Sequence, residues 1–392
     1  MDLSAQNILN YLEKKKPRME AFLKELVAIE TPSRDPAAQE EIFEVLARKF
    51  QQLGYRTFRM PGRSTGGYLM TYPAKRRKGQ SIQLLIGHCD TVWEKGTIES
   101  MPLITEKEKI KGPGVFDMKA GLTQMLFALQ SIQDLDLDLT VTPVCLINAD
   151  EEIGSRESTR AIQRLARIAD RAYVMEPPLG VDGRLKTARK GLGRFTVTVK
   201  GRAAHAGLDP GKGASAILEL SHQVQKLFAL NDLSKGITVN VGMIEGGVSP
   251  NVVAPVSRAV VDVRVPSHED AQEVEKKILD LSASDPNVSL EVEGSFGRPP
   301  MERTDRNKHL WQKARQAAEK LNIQIEEASA GGGSDANTTS QYTATLDGLG
   351  TTGDGAHAEH EFIQREALDE RTALLTLLLL LPPVEKSTGH DQ

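Results

Sequence analysis

Ile82-Gln83-Leu84-Leu85-Ile86-Gly87-His88-Cys89-Asp90-Thr91-Val92 is the stretch from which the rest of the chain can be read. The run from Ile82 to Ile86 has the apolar character of a buried strand. It stops on a glycine and a histidine, and a carboxylate follows two residues later. In open α/β sheets, ligands bind at the C-terminal ends of the strands. His88 therefore stands where a metal ligand would, and Asp90 where a partner for its second ring nitrogen would. Cys89 points the other way along an extended chain and reads as a small buried residue.

Two further strands end in the same fashion. Val141–Ile147 runs into Asn148-Ala149-Asp150-Glu151-Glu152-Ile153-Gly154-Ser155, and Ala172–Met175 runs into Glu176-Pro177-Pro178. Between the first and second lies a glycine-punctuated loop, Gly112-Pro113-Gly114-Val115-Phe116-Asp117-Met118-Lys119-Ala120-Gly121, leading to a helix over Leu122–Ile132. Another helix runs through Ile162 and Leu165. This βα alternation predicts a mostly parallel sheet with helices on both faces.

Upstream, apolar residues at helical spacing (Tyr11, Met19, Phe22, Leu23, Leu26, Val27, then Ile42, Phe43, Leu46, Phe50, Leu53) predict two helices broken at Thr31-Pro32-Ser33. Strands are expected at Tyr55–Met60 and Tyr68–Tyr72, before a charged turn from Ala74 to Gly79. The texture changes at Lys190. Strand Arg194–Val199, helix Ala214–Phe228, strands Ile237–Ile244 and Ser257–Val265, helix Asp270–Ala283 and strand Val288–Glu293 follow in β-α-β-β-α-β order, that of a ferredoxin-like unit. Helices resume at Trp311–Leu321 and Leu368–Leu381. The expected division is a catalytic domain over 1–189 and 302–392, with an inserted α+β domain over 190–301.

At 392 residues, two domains are expected. A net charge of −4 argues against a nucleic-acid surface, and 5% aromatic residues against stacking platforms for bases. Two cysteines exclude a disulfide framework and fit a reducing compartment. The N-terminus has no basic segment ahead of an apolar core, so no signal peptide is expected. The longest apolar run, near Leu374–Leu381, is too short to span a bilayer. A cytoplasmic location is the default expectation.

Each candidate residue has a bland explanation on its own. His88 could be a hydrogen-bonded loop residue, Asp117 a helix cap, Glu151-Glu152 a solvated turn and Glu176 part of a proline turn. Their order and phase point instead to one shared cause, a di-metal site. Zinc takes histidine nitrogen and carboxylate oxygen and keeps a position open for water. Two ions about 3.5–4 Å apart need a bridging carboxylate, and Asp117 is the natural bridge. Asp90 can hold His88 by its second nitrogen. Glu151 and Glu152 are adjacent and point differently, so one can bind metal while the other stays free as general base.

With these motifs in place the chain resembles the M20 clan of metallopeptidases, the group of glutamate carboxypeptidase, succinyl-diaminopimelate desuccinylase, acetylornithine deacetylase and aminoacylases. The resemblance runs from about Leu23 to Leu381. It rests on Gly87-His88-Cys89-Asp90-Thr91-Val92, Gly112-x-Gly114-x-x-Asp117-Met118-Lys119-x-Gly121, Asp150-Glu151-Glu152-Ile153-Gly154-Ser155 and Gly201-x-x-x-His205-Ala206-Gly207. Gly297-Arg298-Pro299-Pro300 and Ala330-Gly331-Gly332-Gly333-Ser334-Asp335-Ala336 add similarity to the glutamate carboxypeptidases. Cys89 departs from the pattern, since the family often has a larger apolar residue there.

The resemblance implies a zinc exopeptidase-like fold with a dimerisation domain and two zinc ions per subunit, cobalt or manganese being possible replacements. It implies that Asp117 bridges the ions, that His88 and Glu176 complete one site, and that Glu152 and His357 complete the other, with His360 as a fallback for His357. Glu151 becomes the general base. His205, in the dimerising domain, is implied to reach the partner's site and stabilise the oxyanion. Asn251, Arg264, Arg298, Gly332, Gly333 and Ser334 match pocket-shaping positions, and the planar fork of Arg298 suits a carboxylate.

The function expected is hydrolysis of an amide next to a free carboxylate, in a small peptide or N-acyl amino acid, with glutamate release as the best guess. A dipeptidase or a deacetylase/desuccinylase is the alternative within the class. An inactive binding protein on the same scaffold is the alternative outside it, and such a protein should have lost a ligand or the base. The expected assembly is a homodimer, with no nucleic-acid or membrane partner.

Overall fold

The computed structural model describes residues 3–76 and 79–384. Met1 and Asp2, Arg77 and Lys78 of the charged turn, and residues 385–392 lie outside that range. The chain divides into two compact units. One holds residues up to 187, 303–329 and from 334 onward, and the other holds 188–302 with 330–333.

The first unit opens with helices α1 (Leu3–Ala28) and α2 (Glu40–Gln52), then strands β1 (Tyr55–Met60), β2 (Tyr68–Pro73) and β3 (Ile82–His88). Helix α3 (Ala120–Asp134), strand β4 (Thr142–Asn148), helix α4 (Thr159–Ala166) and strand β5 (Ala169–Val174) follow. In α1, Ile8, Leu12, Met19, Phe22 and Leu26 are buried. Their spacing of three, four and seven residues puts them on one face, which packs on α3 and the last helix.

Every residue of β3 and β4 is buried. That fits strands covered on both faces, which read as continuous apolar runs. β3 lies between β4 and β5, and both pairings are parallel. His88, the Glu151-Glu152 turn and Glu176 therefore emerge from the same end of three neighbouring strands.

The second unit contains β6 (Gly191–Lys200), α5 (Ala216–Phe228), β7 (Thr238–Gly246), β8 (Val256–Val265), α6 (His268–Leu279) and β9 (Ser289–Arg298). Its sheet runs β7-β8-β6-β9, antiparallel throughout, which is the ferredoxin-like arrangement. Burial along β6 alternates: Phe195, Val197 and Val199 are fully buried while Arg194 is exposed. Each such burial contributes roughly 1.5–3 kcal/mol, enough to hold the register against a one-residue slip. Ser215 caps α5 by accepting from the Leu218 amide, and Ser267 caps α6 through the Asp270 amide.

The chain then returns to the first unit with α7 (Asp305–Lys320), β10 (Ala344–Leu346) and α8 (Ala367–Leu379). The first unit's sheet is β1-β2-β4-β3-β5-β10, with an antiparallel hairpin at one side of four parallel strands. The molecule is thus a mixed, largely parallel α/β sheet flanked by helices, together with an α+β unit. Helix α8 is buried on nearly every side, and its buried Arg371 is held by the carbonyls of Gly350, Gly183 and Gly348. Strand β10 was not expected from the sequence. The glycine-punctuated loop proves to be a kinked turn, Val115–Lys119, whose backbone leaves helical geometry at Asp117 and Met118 before feeding into α3.

Candidate metal centre

His88 ends β3 only 1% exposed, and hydrogen bonds on both sides of its ring fix its orientation. Nδ1 lies 2.9 Å from the main-chain oxygen of Asp90 and 3.4 Å from its carboxylate. A carbonyl can only accept, so Nδ1 carries a proton, and Nε2 is the ring nitrogen turned to the site. Nε2 stands 3.2 Å from Asp117 Oδ1 and 3.6 Å from Glu176 Oε1.

Asp117 leaves the helical path inside its turn, at φ −116° and ψ 94°, and so does not cap α3. Its Oδ2 lies 3.6 Å from His357 Nε2, which places the carboxylate between the two histidines. Burial opposes its charge, yet His88 and His357 together hold it below the ordinary carboxylate range. His357 lies 3.0 Å from Glu152. That contact, against partial burial, lifts the imidazole to about 9. Glu152 is pushed up by its burial and by the charge of Asp117. His360 instead points to Asp354, at 3.8 Å, so His357 is the histidine of this cluster.

Two triads of donor atoms lie within 4.8 Å of one another: His88 with Glu151 and Glu176, and His88 with Asp117 and Glu152. Two imidazoles and a crowd of buried carboxylates suit a divalent cation of the zinc type. The repulsion that raises the Glu152 pKa is what a cation between Asp117 and Glu152 would remove. The residues present fit a metal centre.

Asp90, fully buried, does more than face His88. Its carboxylate accepts from the main-chain amides of Glu151 and Glu152, each at 3.2 Å. The Ser33 hydroxyl donates to it at 2.7 Å. The break at Thr31-Pro32-Ser33 thus docks beside the site: Thr31 donates to the Cys89 carbonyl at 2.6 Å, and the Thr91 amide bonds Thr31 O at 2.8 Å. Cys89 itself is buried in the apolar core. Lys119, also buried, donates to Ile29 O at 2.8 Å, and burial lowers its pKa to about 8.

Glu361 was missed by the sequence reading. It is 1% exposed and accepts four hydrogen bonds from groups around the Asp117 turn. Burial pushes its carboxyl up to about 7 against the pull of those donors. The only hint in the sequence was an acid four residues after His357. Asp335 was read as part of a glycine-rich turn. It is buried and accepts from Asn148 at 2.7 Å and from the Ser155 hydroxyl, bracing the turn that carries Glu151 and Glu152.

The remaining residues singled out in the sequence lie in the second unit, except Ser334. His205 is exposed, and its Nδ1 accepts from the amides of Gly207 and Leu208, both at 3.1 Å. Its proton is therefore on Nε2. Asn251 accepts from the Ser249 hydroxyl at 2.6 Å and, through its carbonyl, from the Ala206 amide at 2.9 Å. Arg264 pairs with Asp262 and donates to Gly331 O, both at 3.0 Å. Arg298 is buried beside Gly333, where an added Cβ would come within 3.1 Å of its side chain. Gly332 and Gly333 offer their carbonyls to Arg189. Ser334, in the first unit, is fully buried and donates to Asp347 at 3.1 Å.

Comparison with known proteins shows the family of the chain. Carboxypeptidase G2 of Pseudomonas sp. (strain RS-16) is 28% identical over 374 residues, covering 93% of this chain and 89% of its own. Aminopeptidase PepT from Bacillus cereus shares the fold with a TM-score of 0.76 at 23% identity, over 93% of this chain and 98% of its own. The Bacillus subtilis YXEP protein, described as a dinuclear metal binding peptidase from the M20 family, has a TM-score of 0.72 at 15% identity, over 94% and 98%. A family model described as Peptidase family M20/M25/M40 matches residues 84–381. With that match over more than half its length, the chain belongs to peptidase family M20/M25/M40.

Proposed function

We propose that this chain hydrolyses an amide bond next to a free carboxylate at a centre of two divalent ions, zinc first among them, and releases an amino acid, glutamate being the first candidate. Asp117 would stand between the two ions, His88 and Glu176 would complete one site, and Glu152 and His357 would complete the other. The pairwise distances support that division: His88 lies near Glu176, His357 near Glu152, and Asp117 near both histidines. When bound, the ions supply a Lewis acid for the substrate carbonyl and lower the pKa of the attacking water.

One observation carries the reading. Glu151 and Glu152 are neighbours whose amides are pinned by the same Asp90 carboxylate, yet they fall into different donor triads. Glu152, which also meets His357 at 3.0 Å, would serve as ligand, and Glu151 is assigned the water proton, which it would pass to the leaving nitrogen. His205, with its proton on Nε2, is a ready donor to the developing oxyanion. Arg298 is the residue assigned to the substrate carboxylate, with Asn251 and Arg264 and the Gly332–Ser334 turn shaping the pocket. A relative named as a carboxypeptidase along most of the chain supports release of a C-terminal residue.

His205 serves the site of a second copy in a homodimer. The outer edge of β7 pairs with no other described strand. Around it Ile217, Leu218, Met243, Ile244, Val248 and Val256 are about half exposed or more. A bare strand edge with apolar neighbours is a template for pairing. No described helix is long and apolar enough to cross a membrane, and both cysteines are free and buried, which supports assignment to the cytoplasm.

A hydrolysis screen tests the reading. N-acyl glutamates and other N-acyl amino acids, dipeptides, and γ- and α-linked glutamyl compounds would be compared with the matching carboxamides. Substrates with a free carboxylate should turn over fastest, and chelation should abolish turnover until zinc is returned. Equal rates on the carboxamides would end the carboxylate requirement, and full activity after chelation would end the metal mechanism.

A further inference from the structure

Glu361 sits where three ligand-bearing segments meet. Its Oε1 accepts from the amides of Phe116 at 2.9 Å and Asp117 at 3.0 Å. Its Oε2 accepts from the Gly114 amide at 2.8 Å and from the Trp93 indole nitrogen at 3.0 Å. Trp93 lies just beyond the end of β3, which delivers His88. The amides belong to the turn that delivers Asp117. Glu361 itself lies four residues after His357.

The local backbone is shaped to bring this about. Phe362–Gln364 pairs antiparallel with Lys109–Lys111, so Glu361 enters beside the start of the Gly112–Lys119 segment. The Gly112 amide adds a 3.4 Å bond to the Glu361 carbonyl. Gly355 has φ +85°, and an added Cβ there would lie 2.9 Å from Glu361 Cα, so only glycine lets the His357 loop fold back this closely. The amides of Gly114, Phe116 and Asp117 converge on one carboxylate; amides turned to a common point make a concavity that binds an anion, and here the anion is a side chain of the same protein.

We propose that Glu361 is a positioning residue that sets where the Asp117 carboxylate stands between His88 and His357, and so governs how tightly the two ions are held. The proposal rests on the di-metal reading above. It adds a group that touches neither ion nor substrate. Without the carboxylate the amides of residues 114, 116 and 117 lose their common acceptor, and the turn has no other polar anchor of this kind among its described contacts. Asp117 then reaches its two partners from a looser backbone. Partners one step behind the ligands change metal affinity by about 10–100-fold when removed.

The experiment is a zinc titration of metal-stripped protein against a chromophoric chelator, for the wild type, E361Q and W93F, with circular dichroism to check the fold. Glutamine keeps the shape and one acceptor oxygen but turns an NH2 group toward the amides. E361Q should remain folded and bind at least one ion about 10–100-fold more weakly, while kcat recovers as zinc is raised and KM stays near wild type. W93F removes only the indole donor and should weaken binding in the same direction by less. A purely architectural role would lower melting temperature and leave the affinity ratio at one.

Wild-type zinc affinity in folded E361Q overturns the proposal. If E361Q does not fold, wild-type affinity in W93F overturns it and weakened affinity upholds it. A wild-type stoichiometry of one ion would refute the di-metal reading, while the ratio between variant and wild type would still judge Glu361.

Discussion

The two units solve the burial of a sheet in opposite ways, and the contrast explains where their chemistry lies. In the first unit β3 and β4 are covered on both faces, and every residue along them is buried. Few polar side chains lie along such strands, Gln83 with its two carbonyl partners being one in β3; most gather where the strands end, and each needs a partner there. His88, Asp90 and Glu361 are all at most 1% exposed, and each makes specific hydrogen bonds. In the second unit β6 alternates between buried and open positions. Its polar groups face outward, and His205 stands in an exposed loop, braced only by its neighbours' amides. The first unit is built to hold groups still in a dry place, and the second to present them.

That contrast can be attacked at four points, in falling order of effect. Glu151→Gln should lower kcat by about 10²–10⁴-fold, the usual contribution of a general base, with metal content unchanged; near-normal turnover would remove Glu151 from the reaction. His205→Ala should cost about 10²–10³-fold in kcat, the scale of one lost oxyanion donor, again without loss of metal. Mixing the two inactive variants then asks whose site His205 serves. If it acts across a dimer, a mixed dimer contains one site with both residues intact and activity returns. If it acts within its own chain, every site keeps one defect and the mixture stays dead.

Ser33→Ala removes one of the bonds that fix Asp90 and should weaken metal binding or activity about tenfold. An effect that appeared only in melting temperature would make Ser33 a packing residue. The smallest effect is expected in the second unit at Glu219. Burial works against its charge, but the amides of Ser284 and Asp285 and the Gln223 side chain outweigh it and hold the carboxyl below its ordinary value. A group depressed by folding stabilises above its unfolded pKa and loses that contribution as pH falls through the folded value. Melting of the wild type should therefore drop on acidification below about pH 4.3. Glu219→Gln should flatten that drop and cost on the order of 1 kcal/mol at neutral pH. An unchanged acid limb would mean the carboxylate is not held as described.

How far the sequence could be read follows from the same contrast. The apolar runs before His88, Glu151 and Glu176 were legible because a strand buried on both faces leaves an unbroken signature that stops abruptly. The alternation of β6 and the helical stretches of α5 and α6 were legible as local patterns. Glu361 was not, because its donors are more than 240 residues away in the chain, and an acid in Ala358-Glu359-His360-Glu361 looks like any solvated turn. The spacing of Asp90 suggested support for His88, and its carboxylate does lie 3.4 Å from that ring. Its grip on the amides of Glu151 and Glu152 comes from sixty residues onward and left no local trace. Strand β10 is only Ala344-Thr345-Leu346, too short to show a period. Nothing in Ala330–Gly333 signals that these four residues join the second unit.

That short return has a practical consequence for anyone who wishes to dissect the protein. The second unit is not a cassette spliced into the first at one place, because the chain crosses between the units four times. Joining residue 187 to residue 303 would delete the antiparallel sheet and the loop that carries His205 but leave Ala330–Gly333 behind. Those residues would lose the Lys190 amide that meets Ala330 O at 3.0 Å. They would also lose the arginine caps on their carbonyls, from Arg189 and Arg264. Conversely, residues 188–302 expressed alone would carry two arginines that had lost these carbonyl acceptors. A clean excision has to supply that four-residue patch in trans or redesign it, and domain swaps between members of this family would need to move both segments together.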